Sequence, residues 1–145
     1  MSIQDNTEAL NKGVLTGGCL CGAVRYKVTN QFSHFFLCNC QQCQQFTGSA
    51  FAANIFTAPE NIQWLTGYEK ISHYEHPGRE FSKAFCSICG CAQPFINKSG
   101  KSLIIPAGSL TEKFESIPDA NIFVNEQAHW LSEGLTAKKF RHFPE

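Results

Sequence analysis

Eight of the 145 residues are cysteine, and they fall into three clusters: Cys19 and Cys21, then Cys38, Cys40 and Cys43, then Cys86, Cys89 and Cys91. A disulfide inside a C-x-C step would close a small ring far from preferred disulfide geometry. Two thiolates from one tight turn meet no such obstacle in reaching a metal about 2.3 Å away. Cysteines used only for packing do not gather at ligand spacing. A redox role for Cys86 and Cys89 requires a βαβ context, and none is evident in the chain. The chemistry these residues point to is metal binding, with zinc as the metal.

The eight thiols divide in one of two ways. They make two four-thiolate sites, or one four-thiolate site, one three-thiolate site and a spare. In the second division Cys38, Cys40 and Cys43 form a local triad, while Cys19 and Cys21 need another pair and find it in Cys86 and Cys89. Cys91 is then left over. Four closed ligands are what a structural zinc takes, and three with an open position are what a catalytic zinc takes. Glycines are expected to support the turns: Gly17 and Gly18 before the first pair, Gly22 after it, and Gly90 after Cys89.

The elements that must position these thiols read as short strands. Val24, Tyr26 and Val28 alternate with Arg25, Lys27 and Thr29, the period of a strand. Phe35, Phe36 and Leu37 lead into the triad, and residues 41–46 make a short helical turn ended by Gly48. Further strands are expected over 49–57, 62–65, 70–76, 81–85, 93–96, 103–105 and 121–125, punctuated by Pro59, Gly67 and the Pro77-Gly78 turn. Residues 110–117 read as irregular. No segment keeps a helical period. The spacing argues for a mostly β chain of several small antiparallel sheets.

Composition bounds the rest. Hydrophobic residues at 43% exclude a disordered chain. Twelve basic residues balance twelve acidic ones, so no charge surplus points to nucleic acid or to a membrane surface. No apolar run approaches the roughly 18 residues of a membrane span. The polar N-terminus carries no signal-like apolar stretch. A cytoplasmic protein with reduced thiols is expected, with residues 1–13 frayed and 14–145 forming a single zinc-binding domain. Zinc would add about 10–16 kcal/mol of apparent binding free energy, coupled to folding.

Three segments carry a resemblance to a family. Residues 17–26 (GGCLCGAVRY) closely resemble the opening motif of the glutathione-dependent formaldehyde-activating enzymes, also called the centromere-protein-V-like family. Residues 38–43 (CNCQQC), followed by Gly48-Ser49, resemble its second motif, and residues 85–90 (FCSICG) its third. Asn121, Ile122, Phe123, Val124, Trp130 and Pro144 resemble its C-terminal pattern. The likeness runs from about Gly17 to the end of the chain.

The resemblance implies a β-tent fold of small sheets. It implies a structural zinc on Cys19, Cys21, Cys86 and Cys89, and a second, more labile zinc on Cys38, Cys40 and Cys43 at the active site. It implies a carbon–sulfur lyase that joins glutathione, or another small thiol, to formaldehyde or a related aldehyde as an S-hydroxymethyl adduct. At the triad a metal would either deprotonate an incoming thiol or polarise the aldehyde. Rival readings are a non-catalytic zinc-stabilised binding module and a thiol–disulfide or metal-handling protein.

The sequence departs from the family pattern at Asn39, where histidine is common, and at Gln44 and Gln45, where basic residues are common. Arg25, Arg79 and Lys83 are the candidates to meet the carboxylates of glutathione, although each reads first as a solvated charge on a strand face. Cys91 reads as a spare buried thiol, with a fourth ligand for the triad as the alternative. His34, four residues before Cys38, is the one histidine near ligand spacing.

Overall fold

The computed structural model describes residues 13–144, so the expectation for the first twelve residues lies outside the described part. Eleven strands form three small sheets among the described residues. The first sheet has the order β1–β2–β5, with β1 Val14–Gly18, β2 Arg25–Thr29 and β5 Gln63–Thr66. The central sheet has the order β11–β3–β4–β10–β9, formed by Ala120–Ile122, His34–Cys38, Ala52–Thr57, Leu103–Pro106 and Phe95–Ile96. The third has the order β6–β7–β8, formed by Ile71–Glu75, Ser82–Cys86 and Ala92–Gln93. Two short helices accompany them, α1 Gln41–Thr47 and α2 Leu131–Thr136. No helix among the described residues is long and apolar enough to cross a membrane.

Side-chain alternation explains the layering. Tyr26 and Val28 on β2 point inward with Leu15 of β1, and meet Phe35, Ile55, Leu103 and Ile105 of the central sheet. Ile104, between the last two, faces the opposite way and packs with Ala84 and Phe95. The central sheet is therefore covered on both sides at β10, which is why residues 103–105 are a continuous apolar run rather than an alternating one. Each fully buried Leu or Ile contributes about 1.5–3 kcal/mol through lost apolar exposure.

The mostly β architecture is the expected one, with four local differences. β11 pairs with β3 in parallel, so one sheet is mixed. Residues 93–96 do not form one strand. Pro94 splits them, leaving Gln93 on β8 of the third sheet and Phe95 on β9 of the central sheet, because proline lacks the N–H that a ladder needs. The tail carries α2, a six-residue helix too short to show a period. Gly17 and Gly18 lie within β1 rather than in a turn. At Gly17 a Cβ would stand 2.3 Å from the Tyr26 ring, so glycine there serves a close approach.

Candidate metal centres

Two groups of sulfurs converge. Cys19, Cys21, Cys86 and Cys89 place their Sγ atoms within 4.8 Å of one another, and so do Cys38, Cys40 and Cys43. All eight cysteines are free thiols.

The four-thiol group sits where the first and third sheets meet. Cys19 and Cys21 follow the end of β1, Cys86 ends β7, and Cys89 lies three residues beyond. The Sγ atoms of Cys19 and Cys21 are 3.6 Å apart, and those of Cys21 and Cys86 are 3.9 Å apart. Tetrahedral zinc with bonds of about 2.3 Å would space its sulfurs by about 3.8 Å, so the donors suit that metal in number, chemistry and spacing. Backbone N–H groups aim at the sulfurs: Val24 N donates to Cys19 Sγ at 3.3 Å and Ile88 N to Cys86 Sγ at 3.4 Å. Such donors favour the thiolate. The Cys21 and Cys91 amides bring the Cys89 thiol down to about 6. The turn after Cys89 closes by a 2.7 Å bond from Gly90 N to Cys86 O, with Gly90 at φ +79°. That left-handed backbone is where glycine is needed.

The triad lies at the end of β3 in the central sheet. Cys38 ends β3, Cys40 is the N-cap of α1, and Cys43 is in its first turn. The Cys43 amide donates to Cys40 Sγ at 3.4 Å, so the metal-ligand loop and the helix cap are one structure. The helix ends at Gly48 in the left-handed conformation, as anticipated. Where three thiols share a site, the first proton leaves easily. Cys38 is brought down to about 6, foremost by its hydrogen bond with Cys43, while that same bond and burial push Cys43 up. Among the described residues the triad gains no fourth ligand of the histidine, cysteine, aspartate or glutamate type.

The triad lines a cleft of about 850 Å³ between the central and third sheets. Phe46, Phe81 and Phe95 wall it, with Asn54, Phe56 and Ile104 contributed by the central sheet. Lys83 of β7 enters it and is only 6% exposed, which overturns its reading as a solvated charge. Its ammonium lies 5.0, 5.5 and 5.6 Å from the ring centroids of Phe95, Phe46 and Phe81. Burial draws its pKa down, opposed by the facing thiols of Cys43, Cys38 and Cys40. The alternation of 81–85 concealed this residue, because a lysine in a strand between two packed sheets reads like one on an open face.

The departures from the family pattern fall on structural positions. Asn39 is 1% exposed, and its Nδ2 donates to Leu37 O and Ile122 O. It ties the triad loop to β11. Gln44 Nε2 bridges Asn39 O and Glu126 O at 2.8 and 2.9 Å. Gln45 lies at the cleft, as does Arg79. Arg25 belongs instead to the four-thiol region, donating to Cys19 O. Cys91 also packs there, against Cys19, Val24 and Cys86, so the alternative of a fourth triad ligand falls. His34 makes a tilted ring contact with Phe36 and an edge-on one with Phe56. Glu126 went unnoticed in the sequence. Its Oε1 accepts from Gln41 N at 2.9 Å and anchors the start of α1. Its only signal was a carboxylate two residues beyond the Asn121–Val124 part of the C-terminal pattern.

A family model described as glutathione-dependent formaldehyde-activating enzyme matches residues 14–126. That stretch contains both groups of sulfurs and the cleft walls. Among solved structures, a Rhodobacter sphaeroides protein is similar in fold, with a TM-score of 0.56 and 20% identity over 73% of this chain and 98% of that one.

Proposed function

Since the chain belongs to the glutathione-dependent formaldehyde-activating enzyme family, we propose that it is a zinc-dependent carbon–sulfur lyase-type enzyme. It joins glutathione, or a similar small thiol, to formaldehyde. The reaction forms a bond between the thiol sulfur and the carbonyl carbon, and the thiol proton ends on the carbonyl oxygen. The observation that carries this reading is a three-thiol site, open on one side, at the wall of a cleft large enough for a tripeptide-sized ligand.

Cys19, Cys21, Cys86 and Cys89 would hold a structural zinc. Cys38, Cys40 and Cys43 would hold a second, more exchangeable zinc. Bound there, zinc supplies Lewis acidity and lowers the pKa of a thiol that reaches it. The chain's own contribution is placement. The cap of α1 fixes Cys40 and Cys43 relative to each other, and Asn39 and Gln44 hold that loop against β11 and Glu126. Phe46, Phe81 and Phe95 make part of the wall apolar, which strengthens charge interactions beside it.

The test is exchange NMR of glutathione with labelled formaldehyde, with and without protein. The uncatalysed addition is itself fast, so the exchange rate is the readout. Acceleration by the zinc-replete protein and not by Cys40→Ser is the expected result. Unaltered exchange in the presence of zinc-replete protein would overturn the proposal and leave a binding role.

A further inference from the structure

We infer that Lys83 is the anion-recognition group of the triad cleft, so that the cleft selects thiols that carry a carboxylate. This rests on the reading of the triad as a thiol site and names the class of thiol.

Three features support it. First, Lys83 is buried in a ring of three phenylalanines, yet among the described residues its ammonium has neither a hydrogen-bond acceptor nor a carboxylate partner. An ammonium that reaches solvent only through the cleft, with no hydrogen-bonded counter-charge, is partly desolvated at a cost. Aromatic faces offset part of that cost but accept no conventional hydrogen bond. An incoming carboxylate would supply both the charge and the acceptors.

Second, the protein's own carboxylates at the cleft are committed elsewhere. Glu80 Oε2 accepts from Lys98 N at 3.0 Å, and Glu126 Oε1 accepts from the start of α1. Tyr74 and His76 are bonded to each other at 2.8 Å. Of the two cations at the cleft, Arg79 is exposed and Lys83 is buried, and Lys83 has no internal anion facing it except the triad sulfurs. Third, Gln42 lines the same cleft, and its Nε2 is buried with no partner. A ligand oxygen would satisfy an amide donor and the ammonium together. The three triad thiols are the competing claim on Lys83, and the experiment separates the two roles.

The probes are S-methylglutathione, which cannot undergo the addition, and its dimethyl ester. Binding of each to the purified, zinc-replete protein is measured by calorimetry, with metal content determined in parallel. Wild type is expected to bind the diacid at least about tenfold more tightly than the diester. Lys83→Met, which fits between the phenylalanine rings, is expected to collapse that ratio toward one with metal content unchanged. Lys83→Arg is expected to retain it. Equal binding of acid and ester by wild type, or a preserved ratio in Lys83→Met, would overturn the inference. A preserved ratio with lost metal would assign Lys83 to balancing the triad's charge instead. A protein that prefers the diacid but does not accelerate exchange would keep this inference and lose the proposed reaction.

Discussion

The two sulfur clusters differ in what they hold together. The four-thiol cluster joins residues 65 positions apart in sequence, at Cys21 and Cys86, and pins the first sheet to the third. The triad lies within six consecutive residues and joins a strand end to the first turn of a helix. A metal in the first closes a long loop and constrains tertiary structure. A metal in the second constrains only a local turn that already has a capped helix beneath it. The first has its four ligands and no need of another. The second faces a cleft that Lys83 and Arg79 also line. On the proposed reading, similar donor chemistry serves folding in one place and leaves an accessible position in the other.

The largest effect expected from this contrast is at the shared joint of the sheets. Cys86→Ser should remove a ligand on which two sheets depend, and yield little soluble protein or a melting point lowered by tens of degrees, given the roughly 10–16 kcal/mol attached to a structural zinc. A soluble variant melting like wild type would erase the distinction. Cys40→Ser should cost far less, about 1 kcal/mol or below, because serine still caps the helix and only a local ligand is lost. It should also lose one metal equivalent and the exchange activity. Circular dichroism melts and metal analysis check both at once, and collapse of Cys40→Ser to the Cys86→Ser phenotype would contradict the assignment.

Asn39→Ala sharpens the comparison from within the triad loop. It removes, at a cost of about 0.5–1.5 kcal/mol, the side-chain donor to the Leu37 and Ile122 carbonyls, while Ile122 O keeps its bond from Asn39 N. Chelator challenge should then release the triad metal faster while release from the four-thiol cluster keeps its wild-type rate. Equal acceleration of both phases would mean that Asn39 supports the whole fold. The smallest effect is expected at Gly90→Ala. Nothing lies within 4 Å of a Cβ there, so the cost is backbone strain alone, about 1 kcal/mol. It should speed metal loss only from the four-thiol cluster, which stopped-flow competition with a chromophoric chelator would resolve.

Much of both clusters was legible beforehand. The C-x-C and C-x-x-C-G spacings already brought two thiols to one turn, and only the choice of which turns meet was non-local. The helix after Cys40 and its end at Gly48 were visible for the same reason, since capping and left-handed backbone are properties of a few adjacent residues. Strand 25–29 was legible from alternation. The partner of β3 was not. β11 arrives from more than 80 residues away, in parallel, on the evidence of three residues without alternation.

Asn39 and Gln44 illustrate the same limit. Set against the family pattern, Asn39 was a departure from a common histidine and Gln44 the loss of a basic substrate contact, because a motif shows identity and not direction. Their partners, Ile122 O and Glu126 O, are 83 and 82 residues distant. Lys83 is the clearest case. Its flanking residues were compatible with an open sheet face, and only the packing of the third sheet against the central one turns that face into the wall of a cleft.

By itself, then, the sequence determined the ligand spacing within each cysteine cluster, the short-strand architecture and the capped helix between Cys40 and Gly48. Each follows from bond lengths, ligand reach and backbone sterics acting over a few residues. The tertiary structure decided which side chains face the triad and which merely support it. That depends on the burial and pairing of distant segments, whose energies do not appear in local spacing.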